Sequence, residues 1–436
     1  MTDTNVAPWL THSRWPTAPI RLVARLGSGH TPSRSVPEYW ENCTVPWITL
    51  ADVWQLRTGN VSVISETKEK VSSLGLAHSA AVEHPAGTVI LSRTASVGFS
   101  AIMGTSMATS QDFATWTCGP RLDPRFLLHA LRGMSPDLKR VATGSTHKTI
   151  YMPDIEQLRV PLPPLDEQRR IANFLDAETA RMTTVGDALR QFDRDVRERE
   201  RAVLAHQLNA GVRSVRTELP PGWQWTPLMH LTDPLRQIMY GIVLPGPNVT
   251  DGVPIVKGGD VAANRLSLNS LNRTTREIEA NYARSRLKGG DLVIAIRGSV
   301  GEVAVVPAEL TGANLTQDAA RISINRSVHA EWLRLVLESP LVSHQIQQRI
   351  TGATIKGINI WDLKRVLVPT PDGETQAALA ATAGREIETH EDLRSRVAQH
   401  NHLLAERRQA LITAAVTGQF DVTTASGRNV TDGVTA

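Results

Sequence analysis

Short apolar runs separated by Gly- and Pro-rich breaks recur along most of the chain, and this pattern predicts strands. Their β-branched content and their flanking turn residues are typical of buried sheet segments. The clearest runs are Val45–Leu50, Thr88–Leu91, Asp291–Ile296, Val303–Val306 and Arg321–Ile324. Apolar residues recur with helical spacing at Arg125–Arg132 and Ala330–Leu337, which predicts helices there. The pattern therefore predicts mixed α/β (α+β) domains.

Two longer stretches carry apolar residues at alternating spacings of three and four, which predicts long coiled-coil helices. The first has these positions at Ile171, Leu175, Met182, Val185, Leu189, Phe192, Val196 and Val203. A shift of 208 residues gives the second set, Leu379, Ala383, His390, Leu393, Val397, His400, Leu404 and Leu411. Each helix needs a partner, and the obvious partner is the other one. Asp166 and Asp372 are the predicted N-caps.

The chain also repeats itself. VPWITLADV at Val45–Val53 returns as VPIVKGGDV at Val253–Val261, and GTVILSRTASVG at Gly87–Gly98 returns as GDLVIAIRGSVG at Gly290–Gly301. GSTHKTI at Gly144–Ile150 returns as GATIKGI. A repeat of this length predicts two similar domains with similar sites. Such a pair suits an extended, roughly two-fold ligand, of which duplex DNA is the commonest.

Pro-rich segments mark the ends of the globular parts, because proline cannot continue a strand ladder. They lie at Val160–Leu165 and Val368–Asp372. We expect a first globular domain at residues 1–163 and a long helix at 164–211. A second domain at 212–371, a second long helix at 372–421 and a disordered tail at 422–436 complete the prediction.

Composition narrows the protein class but not the function. At 436 residues the chain has room for two or three domains. No run approaches the roughly 20 apolar residues of a membrane span, and the start resembles no secretory signal. Cys43 and Cys118 suggest neither a disulfide framework nor a zinc site, so we expect a cytoplasmic protein without membrane contact. A net charge of +4 permits nucleic-acid binding without arguing for it.

No catalytic or metal-binding pattern emerges, whereas polar residues in the repeated segments suit DNA. Arg93 and Arg297 lie at the ends of matched strands, where arginine can bind guanine or phosphate. Gln111 and Gln317 can bind adenine edges, and the two Gly-x-Thr-x-Lys loops can contact phosphate. The candidate DNA-binding residues are Arg93, Ser96, Gln111, Ser145, Thr146, Lys148, Lys257, Arg297, Ser299, Gln317, Thr354 and Lys356.

Structural alternatives stay open for each of these candidates. An arginine at a strand end can simply close a surface turn. A glutamine can form an internal hydrogen bond to a loop backbone. A Gly-x-Thr-x-Lys segment can be a structural loop that binds nothing.

At this point the residues resemble a family. GSGHTPS at Gly27–Ser33, EYW at Glu38–Trp40 and VPWITLADV resemble the opening of a target-recognition domain of type I restriction–modification specificity subunits. VPLPPLDEQRRIANFLD, PPGWQW at Pro220–Trp225 and LITAAVTGQFDV at Leu411–Val422 resemble later segments of that family. The second half departs from the pattern, because YGIVLPGPNVTDGVP at Tyr240–Pro254 replaces the GSGHTPS opening.

The resemblance implies a non-catalytic subunit with two similar target-recognition domains in a pseudo-two-fold arrangement, each reading one half of a split, asymmetric DNA target. The two antiparallel coiled-coil helices would separate the domains. The implied partners are double-stranded DNA, two adenine methyltransferase subunits and restriction–translocase subunits. No cofactor is expected on this chain, while S-adenosylmethionine, ATP and Mg²⁺ are expected on the partner subunits.

Three other interpretations remain. The chain can be a coiled-coil scaffold that never touches DNA, which a net charge near zero slightly favours. It can be an enzyme fused to a specificity protein, although methyltransferase motifs are missing from the sequence. It can also serve a methylation-only or related defence system.

Overall fold

The computed structural model describes residues 7–57, 61–144, 148–209, 211–262, 265–352 and 356–423. Three of the predicted DNA-binding residues, Ser145, Thr146 and Thr354, lie outside the described residues, as does all but the start of the predicted tail. The chain divides into two compact units. Unit 1 comprises Met1–Arg190 with Ala398–Ala436, and unit 2 comprises Gln191–Val397.

Unit 1 is a mixed α/β unit. Its described strands are β1 (Thr17–Pro19), β2 (Ala24–Ser28), β3 (Val45–Ile48), β4 (Val63–Ile64), β5 (Glu69–Val71), β6 (Val89–Ser92), β7 (Ser100–Met103), β8 (Ala108–Thr109), β9 (Phe113–Cys118) and β10 (Arg159–Pro161). Its helices are α1 (Ser73–Ala77), α2 (Pro124–Gly133), α3 (Ser135–Val141), α4 (Met152–Glu156) and the first part of α5 (Leu165–Gln207).

Unit 2 is built from a similar set of elements. Its described strands are β11 (Gln224–Pro227), β12 (Met239–Tyr240), β13 (Val253–Val256), β14 (Asn272–Thr274), β15 (Leu292–Ala295), β16 (Val303–Val305), β17 (Asn314–Leu315), β18 (Ala319–Ile322) and β19 (Leu367–Thr370). Its helices are the end of α5, then α6 (Arg276–Ala280), α7 (Ala330–Glu338), α8 (Pro340–Gln348), α9 (Ile360–Lys364) and the start of α10 (Gly373–Val416).

The two units share their strand order, except that the large sheet of unit 1 has an additional described strand, β4, at its edge. In unit 1 the sheets are β2-β9-β6-β7-β4, β5-β3-β8 and β1-β10, and in unit 2 they are β12-β18-β15-β16, β14-β13-β17 and β11-β19. The middle strand of each three-stranded sheet pairs antiparallel on one side and parallel on the other. The central strands β6 and β15 are buried along their whole length, which explains why their sequences are continuous apolar runs rather than alternating ones.

Each unit contains a pair of helix segments that lie side by side and antiparallel. In unit 1 a Cβ at Gly186 of α5 would lie 3.6 Å from Leu404 of α10, and the rings of Phe174 and Phe420 stack. In unit 2 the Arg394 guanidinium lies 3.5 Å from Asp193 and from Glu200. The predicted partnership of the two long helices is therefore observed within each unit.

The predicted apolar seam of α5 is only partly correct. Ile171, Leu175, Met182 and Val196 are buried, but Val185 is 50% exposed and Phe192 is 43% exposed. The buried face passes instead through Thr179 and Gly186. Glycine at 186 allows the close approach of α10, so contact geometry outweighs the apolar character of the neighbouring valine.

In α10 the prediction is correct at Ala383, His390 and Val397, which are buried, and wrong at His400, which is exposed. Ile387, which the predicted set omits, is also buried. The predicted N-cap Asp372 is confirmed, because its Oδ1 accepts a hydrogen bond from the Thr375 amide at 2.9 Å.

The other predicted N-cap is wrong. Helix α5 already begins at Leu165, so Asp166 lies in its first turn, where its charge still favours the helix dipole. None of the described helices combines the length and apolar character needed to span a bilayer.

Candidate nucleic-acid interface

In unit 1, backbone hydrogen bonds join the turn after β6 to two other loops. The amide of Arg93 donates to the Asp112 carbonyl oxygen at 2.8 Å, and the amide of Ala95 donates to the Lys148 carbonyl oxygen at 2.8 Å. The Arg93 carbonyl oxygen accepts from the Ile150 amide at 2.8 Å. Residues 93–98, 110–112 and 148–150 therefore meet beside the end of β6, and we call them the unit 1 loop cluster.

Unit 2 has the same arrangement. The Ile296 amide donates to the Asp318 carbonyl oxygen at 2.9 Å, and the Gly298 amide donates to the Lys356 carbonyl oxygen at 3.4 Å. The Ile296 carbonyl oxygen accepts from the Ile358 amide at 3.0 Å. Residues 296–301, 316–318 and 356–358 form the unit 2 loop cluster. The three repeated segments that looked suited to DNA thus come together twice, once in each unit.

The two predicted arginines lie at the ends of matched strands, as expected, but they do not occupy equivalent positions. Arg93 makes the backbone hydrogen bonds that Ile296 makes in unit 2. The counterpart of Arg297 is Thr94, because these two residues form the corresponding isolated β-bridges. Successive side chains of an extended segment point to opposite faces, so an offset of one residue places the two guanidinium groups on opposite sides of the turn.

Arg93 faces inward and is half-buried. Its Nη1 donates to the Ile150 carbonyl oxygen at 3.4 Å, and its buried Nε has no hydrogen-bond partner among the described residues. The arginine thus helps to close the turn, which is the structural alternative that the sequence left open.

Arg297 is exposed, with 45% of its side chain accessible. Its nearest described acid is Asp318, whose Oδ1 lies 4.0 Å from Nη1 and whose side chain is 43% accessible. An exposed pair at this distance contributes between about 0 and 1 kcal/mol, so it holds the guanidinium only weakly. Arg297 can therefore exchange this contact for a base edge or a phosphate.

The two glutamines also differ. The Gln111 side chain is exposed, but its Oε1 accepts a hydrogen bond from Thr31 Oγ1 at 2.6 Å. Gln111 therefore has an internal bond, but to a threonine side chain rather than to a loop backbone. The Gln317 side chain is half-buried and has no hydrogen-bond partner among the described residues, while its amide donates to the Ile242 carbonyl oxygen at 3.0 Å. Each glutamine nevertheless belongs to its unit's loop cluster.

The remaining candidates lie at or beside the clusters. The side chains of Lys148, Lys356 and Ser299 are exposed, and those of Lys257 and Ser96 are half-buried. Lys257 directly precedes a short 3-10 helix, Gly258–Asp260. Each cluster thus has one exposed lysine, Lys148 or Lys356, that can bind a polyanion backbone. No group of three metal-ligating side chains occurs among the described residues.

Sequence analysis missed two residues that shape the clusters. A Cβ at Gly258 would lie 2.9 Å from the Arg297 carbonyl oxygen and 3.0 Å from that of Asp318, so the unit 2 loop cluster packs directly on this glycine. Thr31, in the GSGHTPS segment, holds Gln111. The signals were present in the sequence, as the glycine pair of VPIVKGGDV and the threonine of that segment, but neither reveals its contact.

Residues 13–186 match the family model of the type I restriction modification DNA specificity domain. The chain is 27% identical over 271 residues to the type I restriction enzyme EcoBI specificity subunit of Escherichia coli, covering 59% of this chain and 57% of that protein. It is 27% identical over 163 residues to the MjaIX specificity subunit of Methanocaldococcus jannaschii, covering 37% of each. The chain thus spans between about a third and somewhat over half of these two relatives.

Solved structures show the same fold at low sequence identity. A chain from a study of complex assembly and conformational transition of the type I R-M system is 20% identical, with a TM-score of 0.70. That likeness covers 93% of this chain and 98% of the other. The HsdS subunit from Thermoanaerobacter tengcongensis is also 20% identical, with a TM-score of 0.51 over 93% of this chain and 97% of that one.

Proposed function

We propose that this chain is the sequence-specific DNA-binding subunit of a type I restriction–modification complex, since residues 13–186 match the family model of the type I restriction modification DNA specificity domain. It supplies target recognition and no catalytic residue of its own. The observation that carries the proposal is the pair of loop clusters, in which the same three repeated segments are joined by the same backbone hydrogen bonds in both units.

Each loop cluster reads one half of a bipartite target. The sequences of the two clusters differ, so the two halves differ and the whole target is asymmetric. In unit 2 we assign base contact to Arg297 and Gln317, and backbone contact to Lys257, Ser299, Thr354 and Lys356. In unit 1 we assign base contact to Gln111, and backbone contact to Ser96, Ser145, Thr146 and Lys148, while Arg93 supports the turn.

The long helices serve as a coiled-coil spacer and as the docking surface for partners. Two adenine methyltransferase subunits and the restriction–translocase subunits bind there, and those partners carry S-adenosylmethionine, ATP and Mg²⁺. The methyltransferase takes the target adenine out of the base stack, which this chain has no means to do. The length of the helices sets the number of unread base pairs between the two halves of the target.

A modification-sensitive long-read sequencing experiment tests the proposal. DNA is compared from cells that express the cognate methyltransferase with and without this chain. We expect methylated adenine in one split motif only when this chain is present. Unchanged methylation with a folded methyltransferase would contradict the proposal and favour a scaffold that does not bind DNA.

A further inference from the structure

Unit 1 contains a basic cavity that the proposed base-reading residues do not use. Its volume is about 250 Å³, and its walls include Arg57, Ser100, Arg132 and Arg408. It lies where β7, the end of α2 and the end of α10 meet. Among the described residues that line this cavity none is acidic, while three are arginines. A water molecule takes up about 30 Å³ in the liquid, so the cavity has room for an anionic group and several waters.

One buried polar group in the cavity wall lacks a partner. The Ser100 side chain is 5% exposed, and its hydroxyl has no hydrogen bond to any described residue. Leaving a buried hydroxyl unpaired costs about 1–3 kcal/mol, so such groups usually face a ligand or an ordered water. The unpaired hydroxyl is an observation independent of the arginines, and it also indicates a polar occupant.

The arginines of the cavity are close enough to repel each other. Burial, together with the charge of Arg408, lowers the pKa of Arg132 to about 10. Burial also lowers the pKa of Arg408. Arg132 is nevertheless protonated at neutral pH, and the charge of Asp176 favours that protonated form. Two hydrogen bonds, from Nη1 to Ser62 Oγ at 3.2 Å and from Nη2 to the Val61 carbonyl oxygen at 2.9 Å, hold its guanidinium in place.

Unit 2 shows that the fold does not require this basic cluster. By their positions in the repeat, Arg132, Ser100 and Arg408 correspond to Glu338, Val303 and Glu200. Burial raises the pKa of Glu338 to about 7, and the charge of Glu200 adds to that increase. Unit 2 thus has two carboxylates where unit 1 has two arginines, and those carboxylates pair with Arg334 and Arg394.

We propose that this cavity binds a backbone phosphate of the DNA whose bases the unit 1 loop cluster reads. Gly98 belongs both to the cavity wall and to that loop cluster. DNA that reaches the turn thus brings phosphates close to the cavity. Arginine binds phosphate through two parallel hydrogen bonds, and the Ser100 hydroxyl can donate a third. The end of α10 becomes part of the DNA-binding surface.

This inference rests on the proposed function, and a salt titration separates the two. The full-length chain, in complex with its cognate methyltransferase, is titrated with a duplex of random sequence by fluorescence anisotropy between 50 and 200 mM salt, conditions that resolve phosphate contacts. Arg408→Gln is compared with Arg181→Gln, which removes the same charge from an exposed position on α5 outside the cavity.

Arg408→Gln should reduce the slope of log affinity against log salt by about 0.9, the loss of one phosphate contact, whereas Arg181→Gln should keep the wild-type slope. Arg408→Lys should keep the slope and lose part of the affinity, because lysine cannot bind phosphate bidentately. Equal slopes for wild type and Arg408→Gln would overturn the inference while leaving the proposed function intact. Absence of DNA binding by the wild-type complex would overturn both.

The serine supplies a second test that does not depend on charge. Ser100→Ala should weaken DNA binding without lowering the melting temperature, since the hydroxyl has no partner in the protein. Ser92→Ala is the matched control, because its hydroxyl is also buried and unpartnered but Ser92 lies outside the cavity wall. Equal DNA affinity of the two variants would contradict the assignment.

An acidic side chain of a partner protein is the competing occupant. In that case Arg408→Gln would keep the wild-type salt slope and would reduce the fraction of chain that elutes with the methyltransferase in gel filtration. That result would also overturn the assignment to DNA.

Discussion

The two loop clusters have the same backbone connections but direct their arginines differently. In unit 1 Arg93 faces inward and donates to a carbonyl oxygen of its own unit, whereas in unit 2 Arg297 is exposed beside Asp318. Relative to the repeat, the two arginines lie one position apart, and this offset places them on opposite sides of the turn. Similar motifs therefore carry a turn-closing residue in one unit and a candidate base-reading residue in the other.

The support beneath the two clusters differs as well. In unit 2 the small residue Gly258 lets the cluster pack on the 3-10 helix backbone, while the repeat places Leu50 at the corresponding position of unit 1. The adjoining acids also differ, because Asp52 is fully buried and Asp260 is not. Unit 1 thus has a fully buried carboxylate in this segment, and unit 2 has close backbone packing.

The largest expected effect on stability distinguishes Asp52 from Asp260. Asp52 accepts hydrogen bonds from the Thr49 amide at 2.9 Å, the Thr49 hydroxyl at 3.2 Å and the Lys68 amide at 2.7 Å. Asp52→Ala should lower the free energy of unfolding of unit 1 by about 3 kcal/mol, because it leaves buried donors unpaired. Asp260→Ala, which loses one bond from the Lys257 amide, should cost about 1 kcal/mol. Calorimetry of the full chain measures both, and equal losses would contradict the contrast.

A glycine pair tests the backbone packing of unit 2. Gly258→Ala should cost about 2 kcal/mol, because its Cβ meets two backbone oxygens that cannot move independently. Gly259→Ala is the control: its Cβ has nothing within 4 Å, so the change should stay within about 0.5 kcal/mol. Denaturant unfolding measures the two variants. A neutral Gly258→Ala would show that the cluster does not depend on this contact.

A reciprocal exchange tests the turn itself. Ala95 has φ 57° and Gly298 has φ 74°, so both lie in the left-handed region at corresponding turn positions. Ala95→Gly should stabilise unit 1 by about 1 kcal/mol through relief of backbone strain, and Gly298→Ala should destabilise unit 2 by a similar amount. Thermal unfolding of each variant gives the sign of the change in stability. Changes of the same sign in both would refute the matched turn geometry.

The smallest effect on stability distinguishes the two arginines. Arg93→Ala should lower the free energy of unfolding by between about 0.5 and 1 kcal/mol, because it removes the long bond to Ile150 and some packing. Arg297→Ala should change it by less than about 0.5 kcal/mol, since its pair with Asp318 is exposed and long. The reverse order in urea unfolding would mean that Arg297, not Arg93, is the structural residue.

Much of the fold followed from the sequence where the signal is local. The apolar run at residues 88–91 predicts β6, and Asp372 predicts the start of α10, because strands and helix caps depend on neighbouring residues. The buried face of α5 was harder to predict. Whether Gly186 or Val185 is buried depends on how closely α10 approaches. Such a contact lies more than 200 residues away along the chain.

The candidate site was predictable in composition but not in geometry. The repeated segments contain the right residue types, and they do converge. The sequence could not show which face of the turn Arg93 occupies, because a one-residue offset leaves the motif recognisable while reversing the side chain. It also could not show the basic cavity, whose arginines come from α2, α10 and the residues after β3 and are brought together only by folding.

The central claim is that each loop cluster reads its own half of one target. It is tested most directly by long-read sequencing of methylated adenine in cells that express the cognate methyltransferase with the wild-type chain or with Arg297→Ala. The account predicts that Arg297→Ala relaxes or abolishes base preference in one half of the split motif and leaves the other half unchanged. Equal weakening of both halves, or an unchanged motif, would contradict it.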